Sequence, residues 1–238
     1  MGVASGPNNS IIDNGLIFYM DAANTDSYPR SGTNIENLIV SNTASLNNGT
    51  FITSNAGAFN FDGTGDYIDI ESPIGHSMIS PGNSTTINIW FRTDPWVANG
   101  FLFEQSGSGG NVNSMFYDGY DSIHTTFSVE GDYVSVTTPN YIVTQEWIYY
   151  TLTIDPTGPT FKTYVNGVNK TGPTTYSTSS AGSDQINYLG RRTYDSSYML
   201  NGQISNYTIY NRVLSDDEIL QNYKALKQRF TPNLTDYI

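Results

Sequence analysis

The chain has 238 residues, a net charge of −12 and no cysteine. The absence of cysteine excludes disulfides and thiolate metal sites, and ten basic residues leave no basic patch for a phosphate backbone or an anionic lipid surface. With 37% hydrophobic and 13% charged residues the chain is expected to fold, as one large β-sandwich or two small domains, and no segment approaches the roughly 18 apolar residues that cross a membrane as a helix.

Residues 1–14 are small and polar around Gly6-Pro7 and read as an arm. They carry no basic n-region or apolar stretch of signal-peptide length, so the six Asn-x-Ser/Thr triplets are read as chance and not as glycosylation sites. Leu16 to Met20 reads as a first strand. Residues 21–57, rich in Asn, Ser, Thr and Gly, read mostly as loop. Ala58 to Phe61 and Asp66 to Ile70 are two short strands joined by the Gly-bearing turn Asp62-Gly63-Thr64-Gly65. The clearest strand is Thr86 to Arg92. Its period of two places Ile87, Ile89 and Phe91 on the core face and Asn88, Trp90 and Arg92 on the other. Phe101 to Phe103, Ser114 to Tyr117, Thr125 to Val129 and Tyr133 to Val136 follow. Trp147 to Ile154 alternates again, with Ile148, Tyr150, Leu152 and Ile154 on one side. Thr160 to Val165 runs through Asn166-Gly167 into Val168 to Lys170, and Asn-Gly is the strongest short hairpin signal because both positions accept positive φ. Ile186 to Gly190 and Gln203 to Tyr210 complete about a dozen short strands, the pattern of a sandwich or barrel.

One helix is expected, from Ser215 to about Phe230. Ser215-Asp216-Asp217-Glu218 is a capping box, the acids at the start and the bases toward the end suit the helix dipole, and Ile219, Tyr223, Leu226 and Phe230 share one face. It is expected to pack on the sandwich. Residues 231–238 read as a tail.

Gly15 to Asn24 with Ser27-Tyr28-Pro29 resembles the opening of concanavalin A-like (laminin G-like) jelly-roll domains. So do Phe61 to Ile68, Thr86 to Arg92, Trp147 to Ile154, Tyr164-Val165-Asn166-Gly167, and Gly202 to Ser215 with Glu218-Ile219. The resemblance covers residues 15–230 and implies an all-β fold, a two-sheet antiparallel jelly-roll sandwich with one C-terminal helix. The Gly-Pro arm and the run Leu220 to Phe230 further resemble virion structural proteins of large tailed phages.

Some sandwiches of this kind are glucanases, which need two carboxylates about 5–5.5 Å apart. Their Glu-x-Asp-x-x-Glu strand is approached only by Glu130-Gly131-Asp132-Tyr133-Val134-Ser135, which lacks the third carboxylate and reads as a turn. His76 and His124 are the only histidines, neither beside a nucleophile motif, and Gly107-Ser108-Gly109-Gly110 has no Lys to make a phosphate loop. Pentraxins, which share the fold, bind calcium through an acidic run after a strand ending in Leu-Gly. Here Leu189-Gly190 is followed by Arg191-Arg192, so that site is not expected. Asp62 with Asp66, or Asp118 with Asp121, remain as oxygen donors for calcium, and turn formation explains the same residues. Glycan binding in this fold uses loop aromatics beside amides and acids; Tyr117, Asp118, Tyr120, Asp121, Tyr194 and Asp195 are the candidates, since an aromatic face stacks on the apolar side of a sugar ring.

The resemblance thus implies a non-enzymatic structural or adhesive module on a phage virion surface, as a capsid decoration or tail protein made in the host cytoplasm. Its terminal arms would contact other virion proteins and its loops cell-surface glycans. The alternative is an extracellular carbohydrate-binding lectin module of cellular origin.

Overall fold

The computed structural model describes residues 10–70, 83–94, 100–107, 112–117, 122–129, 132–138, 145–172, 174–175, 185–192 and 198–230. The strands in chain order are β1 (Leu16–Asp21), β2 (Asn34–Glu36), β3 (Thr43–Asn47), β4 (Thr50–Ile52), β5 (Ala58–Asp62) and β6 (Tyr67–Ile70). Then come β7 (Thr85–Thr93), β8 (Gly100–Gly107), β9 (Val112–Tyr117), β10 (Ile123–Val129) and β11 (Asp132–Thr138). The last are β12 (Ile148–Asp155), β13 (Thr160–Val165), β14 (Val168–Asn169), β15 (Thr174–Thr175), β16 (Gln185–Leu189) and β17 (Asn201–Tyr210). The helix α1 spans Asp216–Phe230.

These strands form two antiparallel sheets. The back sheet has the order β14-β13-β12-β7-β17-β5-β4, with β1 also on β17 and β15 on β13. The front sheet has the order β11-β10-β9-β8-β16-β6-β3-β2. The expected two-sheet sandwich with a single C-terminal helix is the observed architecture. Jelly-roll crossovers explain why strands distant in sequence are neighbours: β17 pairs with β7 along one edge and with both β5 and β1 along the other.

The core between the sheets takes the inward residues of each strand. Ile87, Ile89 and Phe91 of β7 meet Ile148, Tyr150, Leu152 and Ile154 of β12 in one buried cluster, as the alternation predicts. Toward one end the core turns polar. The Tyr150 hydroxyl lies 2.7 Å from Thr125 Oγ1, and Thr138 Oγ1 lies 3.0 Å from Thr163 Oγ1. These bonds cross from sheet to sheet and satisfy hydroxyls that burial would otherwise penalise.

One sequence expectation needs correction. Residues 21–57 hold three strands, β2 to β4, and Tyr28, Ile35, Ala44 and Leu46 belong to the core. The face of β7 turned away from that core is covered as well: Asn88 is buried and Trp90 is 1% exposed. Helix α1 lies over that face. Trp90 stacks on Phe230 with centroids 4.2 Å apart and on Tyr223 at 5.6 Å, while Ile219, Leu226 and Trp147 complete a second apolar cluster. The capping box forms as expected, with Ser215 N–H donating to Glu218 Oε2 at 2.9 Å and Glu218 N–H to Ser215 Oγ at 3.3 Å. Asn166 and Gly167 both take positive φ, at 52° and 79°, the geometry of a tight primed turn. At Gly167 a Cβ would come within 3.0 Å of Leu220 Cδ1, so the hairpin tucks beneath the helix only because the residue is glycine.

Residues 10–14 run along the same side. Ile12 N–H donates to Asn222 Oδ1 at 2.8 Å, the Tyr210 hydroxyl donates to Ile12 O at 2.8 Å, and Gln221 Nε2 donates to Ser10 O at 3.1 Å. Ile11 and Ile12 pack against the second cluster. Residues 1–9 and 231–238 of the expected arm and tail lie outside the described residues.

Candidate functional site

The two outer faces of the sandwich differ. The back sheet is sealed by α1 and the strap 10–14. Beneath them Asn88 bridges Thr208 at 2.8 Å and Thr151 at 2.7 Å, a buried ladder with no access for a ligand. No described element crosses the outer face of the front sheet. Strand alternation puts Ile68, Ile70 and Leu189 inward, so Tyr67, Asp69 and Tyr188 point outward. Register aligns Asn34, Ser45, Asp69, Tyr188 and Glu104 into one polar row across five strands, exposed at Asn34 and fully buried at Glu104.

Next to Glu104 in this row the Tyr188 ring meets that of Tyr67, from the neighbouring strand, edge to face, with centroids 5.1 Å apart. The guanidinium of Arg191 lies over both, 4.6 Å from the Tyr67 centroid and 4.9 Å from that of Tyr188. Its Nε donates to Arg192 O at 3.0 Å. Arg192 in turn lies over Phe101 and Tyr198, at 5.8 and 5.4 Å. Burial first, and then the negative charge of Asp69, push the Tyr188 phenol above its ordinary range, so at neutral pH it is an uncharged donor. Such a cluster offers aromatic surface, hydroxyls and a positive fork together, while Asp69 offers a hydrogen-bond acceptor. At the other end of the row, Asn34 also lines an open groove of about 560 Å³ with Thr25, Asp26, Pro29, Ser31 and Glu36.

The residues singled out from sequence fall as follows. Tyr117 closes β9, and Asp118, Tyr120, Asp121, Tyr194 and Asp195 lie outside the described residues, as do His76 and Glu130. Val129 pairs with Asp132 where β10 hands over to β11, so the Glu-x-Asp string does not lie along one strand. His124 Nδ1 is 3.2 Å from Thr137 Oγ1. Asp62 and Asp66 come together, with turn duties: Asp66 Oδ2 accepts from Asp62 N–H at 2.9 Å and Asp62 Oδ1 from Thr64 N–H at 2.7 Å. Burial raises the Asp66 carboxyl above its usual range. Among the described residues no group of three His, Cys, Asp or Glu is placed to hold a metal ion.

Comparison with known proteins bears on this arrangement. The sequence pattern of the concanavalin A-like lectin/glucanases superfamily matches residues 62–220, more than half of the chain. The chain belongs to this superfamily. No curated protein sequence matches it. Among solved structures, this concanavalin A-like domain resembles domain 4 of AbnA, a GH43 extracellular arabinanase from Geobacillus stearothermophilus, in complex with arabinotriose. The TM-score is 0.68 and the identity 15%, over 87% of this chain and 98% of that one. It also resembles the receptor-binding domain of botulinum neurotoxin type G, with a TM-score of 0.66 and 16% identity over 89% of this chain and 51% of that one. A third is Trypanosoma rangeli sialidase in complex with sialic acid, with a TM-score of 0.65 and 14% identity over 92% of this chain and 33% of that one. This chain therefore spans about half of the toxin fragment and a third of the sialidase, and at these identities the likeness is one of fold.

The tyrosine pair of this concanavalin A-like domain was missed from sequence. The usable signal was present: Tyr67 alternates with Ile68 and Tyr188 with Leu189, so each must face away from the core. That the two strands are neighbours is set by pairing across nearly 120 residues of chain (Tyr188 with Asp69), which periodicity does not reveal.

Proposed function

We propose that this concanavalin A-like domain is a non-enzymatic adhesive module that binds glycans on the outer face of its front sheet. The observation carrying this reading is the contrast between the faces: one sealed by α1 and the strap, the other bearing a polar row beside which Tyr67, Tyr188 and Arg191 cluster. Solved structures of the same fold are described in complex with arabinotriose and with sialic acid, and cell entry of a third, botulinum neurotoxin type C, depends on interaction with two ganglioside molecules. The expected experiment is saturable binding to a glycan array, lost in Tyr188→Ala at unchanged melting temperature, with no sugar release from β-glucans. Equal binding by wild type and Tyr188→Ala would move the site elsewhere, and turnover would make the protein an enzyme.

The module is proposed to sit on the virion of a large tailed phage, as a capsid decoration or tail protein. The polarity of the domain supports this. Ser10 and the end of α1 both lie on the back-sheet side, so residues 1–9 and 231–238 are proposed as the attachments to other virion proteins, opposite the glycan face. A mass-spectrometric inventory of purified particles tests it. Absence from particles and presence in a cellular secretome would favour the extracellular lectin reading.

A further inference from the structure

We infer that the face bearing Tyr67, Tyr188 and Arg191 selects acidic glycans, with Arg191 receiving a sugar carboxylate. This deepens the glycan-binding reading and rests on it. The inference starts from what holds Arg191. Its guanidinium lies over two tyrosine rings, at 4.6 and 4.9 Å, and its Nε is bonded to the carbonyl oxygen of Arg192. These contacts hold the guanidinium in place before any ligand arrives. The described ion pairs of the chain's other arginines are Arg92 with Asp94, Arg212 with Glu218 and Arg229 with Asp21. Among the described residues Arg191 has no such carboxylate. Among the described residues no acceptor meets the two terminal amino groups of this half-buried side chain, in a chain of net charge −12 where acids outnumber bases by 22 to ten.

An arginine fork matches a carboxylate in a planar, two-bond geometry, which a lone ammonium does not reproduce. Aromatic rings beside the fork suit a sugar bearing that carboxylate, because the ring's apolar face packs against them while its hydroxyls reach the tyrosine phenols. Asp69 constrains where the acid sits. It is paired in register with Tyr188, which the buried Glu104 flanks on the other side, so negative charge is disfavoured along the row itself and meets positive charge only at the Arg191 guanidinium. A neutral part of the glycan would then run along Asp69, Ser45 and Asn34, three strand spacings or about 14 Å from Tyr188. The long-range field of an acidic protein repels anions, but at physiological salt it is screened within about 8 Å, and the contact with Arg191 is shorter than that.

The experiment is a glycan array carrying neutral, carboxylated and sulfated oligosaccharides, followed by calorimetry on digalacturonic acid, its dimethyl ester, 3′-sialyllactose and lactose. Carboxylated glycans are expected to lead the array. At least one acid should bind about tenfold more tightly than its neutral counterpart. Arg191→Gln should erase that ratio while leaving the melting temperature in place, and Arg191→Lys should restore only part of it. Binding of neutral glycans with no preference for acids would overturn the inference and leave the glycan-binding reading standing. Preference for sulfated over carboxylated glycans would also overturn it. Binding of no glycan at all would overturn both.

Discussion

Asp21, at the end of β1, and Arg229, in the last turn of α1, form an ion pair of 2.8 Å across 208 positions of sequence. Asp21 is 5% exposed and also accepts from the Tyr19 hydroxyl at 3.1 Å and from Ala23 N–H at 2.9 Å. Arg229 donates in turn to Ser205 Oγ at 2.9 Å, at the bulge where β17 passes from β5 to β1. Removing one partner leaves a charge with little water to solvate it. Arg229→Met is expected to cost about 3 kcal/mol in urea unfolding, and the double variant Asp21→Asn with Arg229→Met less than that. A single variant as stable as wild type would mean that water reaches Asp21.

The pH dependence has a defined sign. The bidentate bond from Arg212 holds the Glu218 carboxyl down to about 2, assisted by Ser215 N–H and opposed by partial burial. A depressed carboxyl stabilises the fold above its ordinary value near 4.5, and that contribution is lost as pH falls toward 2. Melting temperature should therefore drop between pH 5 and 2 more steeply in wild type than in Glu218→Gln. Parallel curves would show that the pair forms equally in the unfolded chain.

The strap makes a truncation test graded. Deleting residues 1–10 removes none of the bonds of Ile12 and should leave stability nearly unchanged. Deleting residues 1–14 removes Ile11, Ile12 and the partners of Asn222 and Tyr210, and should cost about 2–3 kcal/mol in chemical denaturation. Equal melting curves for both truncations would mean that the strap only rests on the helix.

In the core, Ile89 and Leu152 are 0% and 2% exposed on adjacent strands. Truncation of either to Ala is expected to cost about 2–5 kcal/mol, read from the urea midpoint. An unshifted midpoint would place both side chains on the wrong face.

The long strands were legible because alternation is a local property: Thr86 to Arg92 and Trp147 to Ile154 show their core face in seven or eight residues. Thr43–Asn47 alternates as cleanly, with Ala44 and Leu46 inward, but its Asn and Ser content reads as turn until the neighbouring strand β6 supplies the pairing. Trp90 shows a different limit. Its position opposite Ile89 is readable, yet its burial depends on a helix that begins 126 positions later. The same holds for the site. Tyr67, Tyr188 and Arg191 are ordinary in sequence and become a cluster only when β6 and β16 pair. Asn222, buried on the helix face that the apolar period marks, was hidden because its polar side chain breaks that period while joining Ile12 to Tyr210.

The placement of β17 governs how the chain is built. This strand, residues 201–210, lies near the middle of the back sheet and pairs with β1, β5 and β7, all made far earlier. Until it emerges from the ribosome, β1 has no partner and β7 lacks one neighbour. The nascent protein must therefore hold unpaired strand edges and exposed Phe18, Phe59 and Ile87 until residues 201–210 are made. Non-local pairing of this kind folds slowly and leaves edges open to mispairing. Production of the protein should accordingly be sensitive to chaperone supply and to translation rate over the codons of residues 201–230, where β17 and α1 are completed.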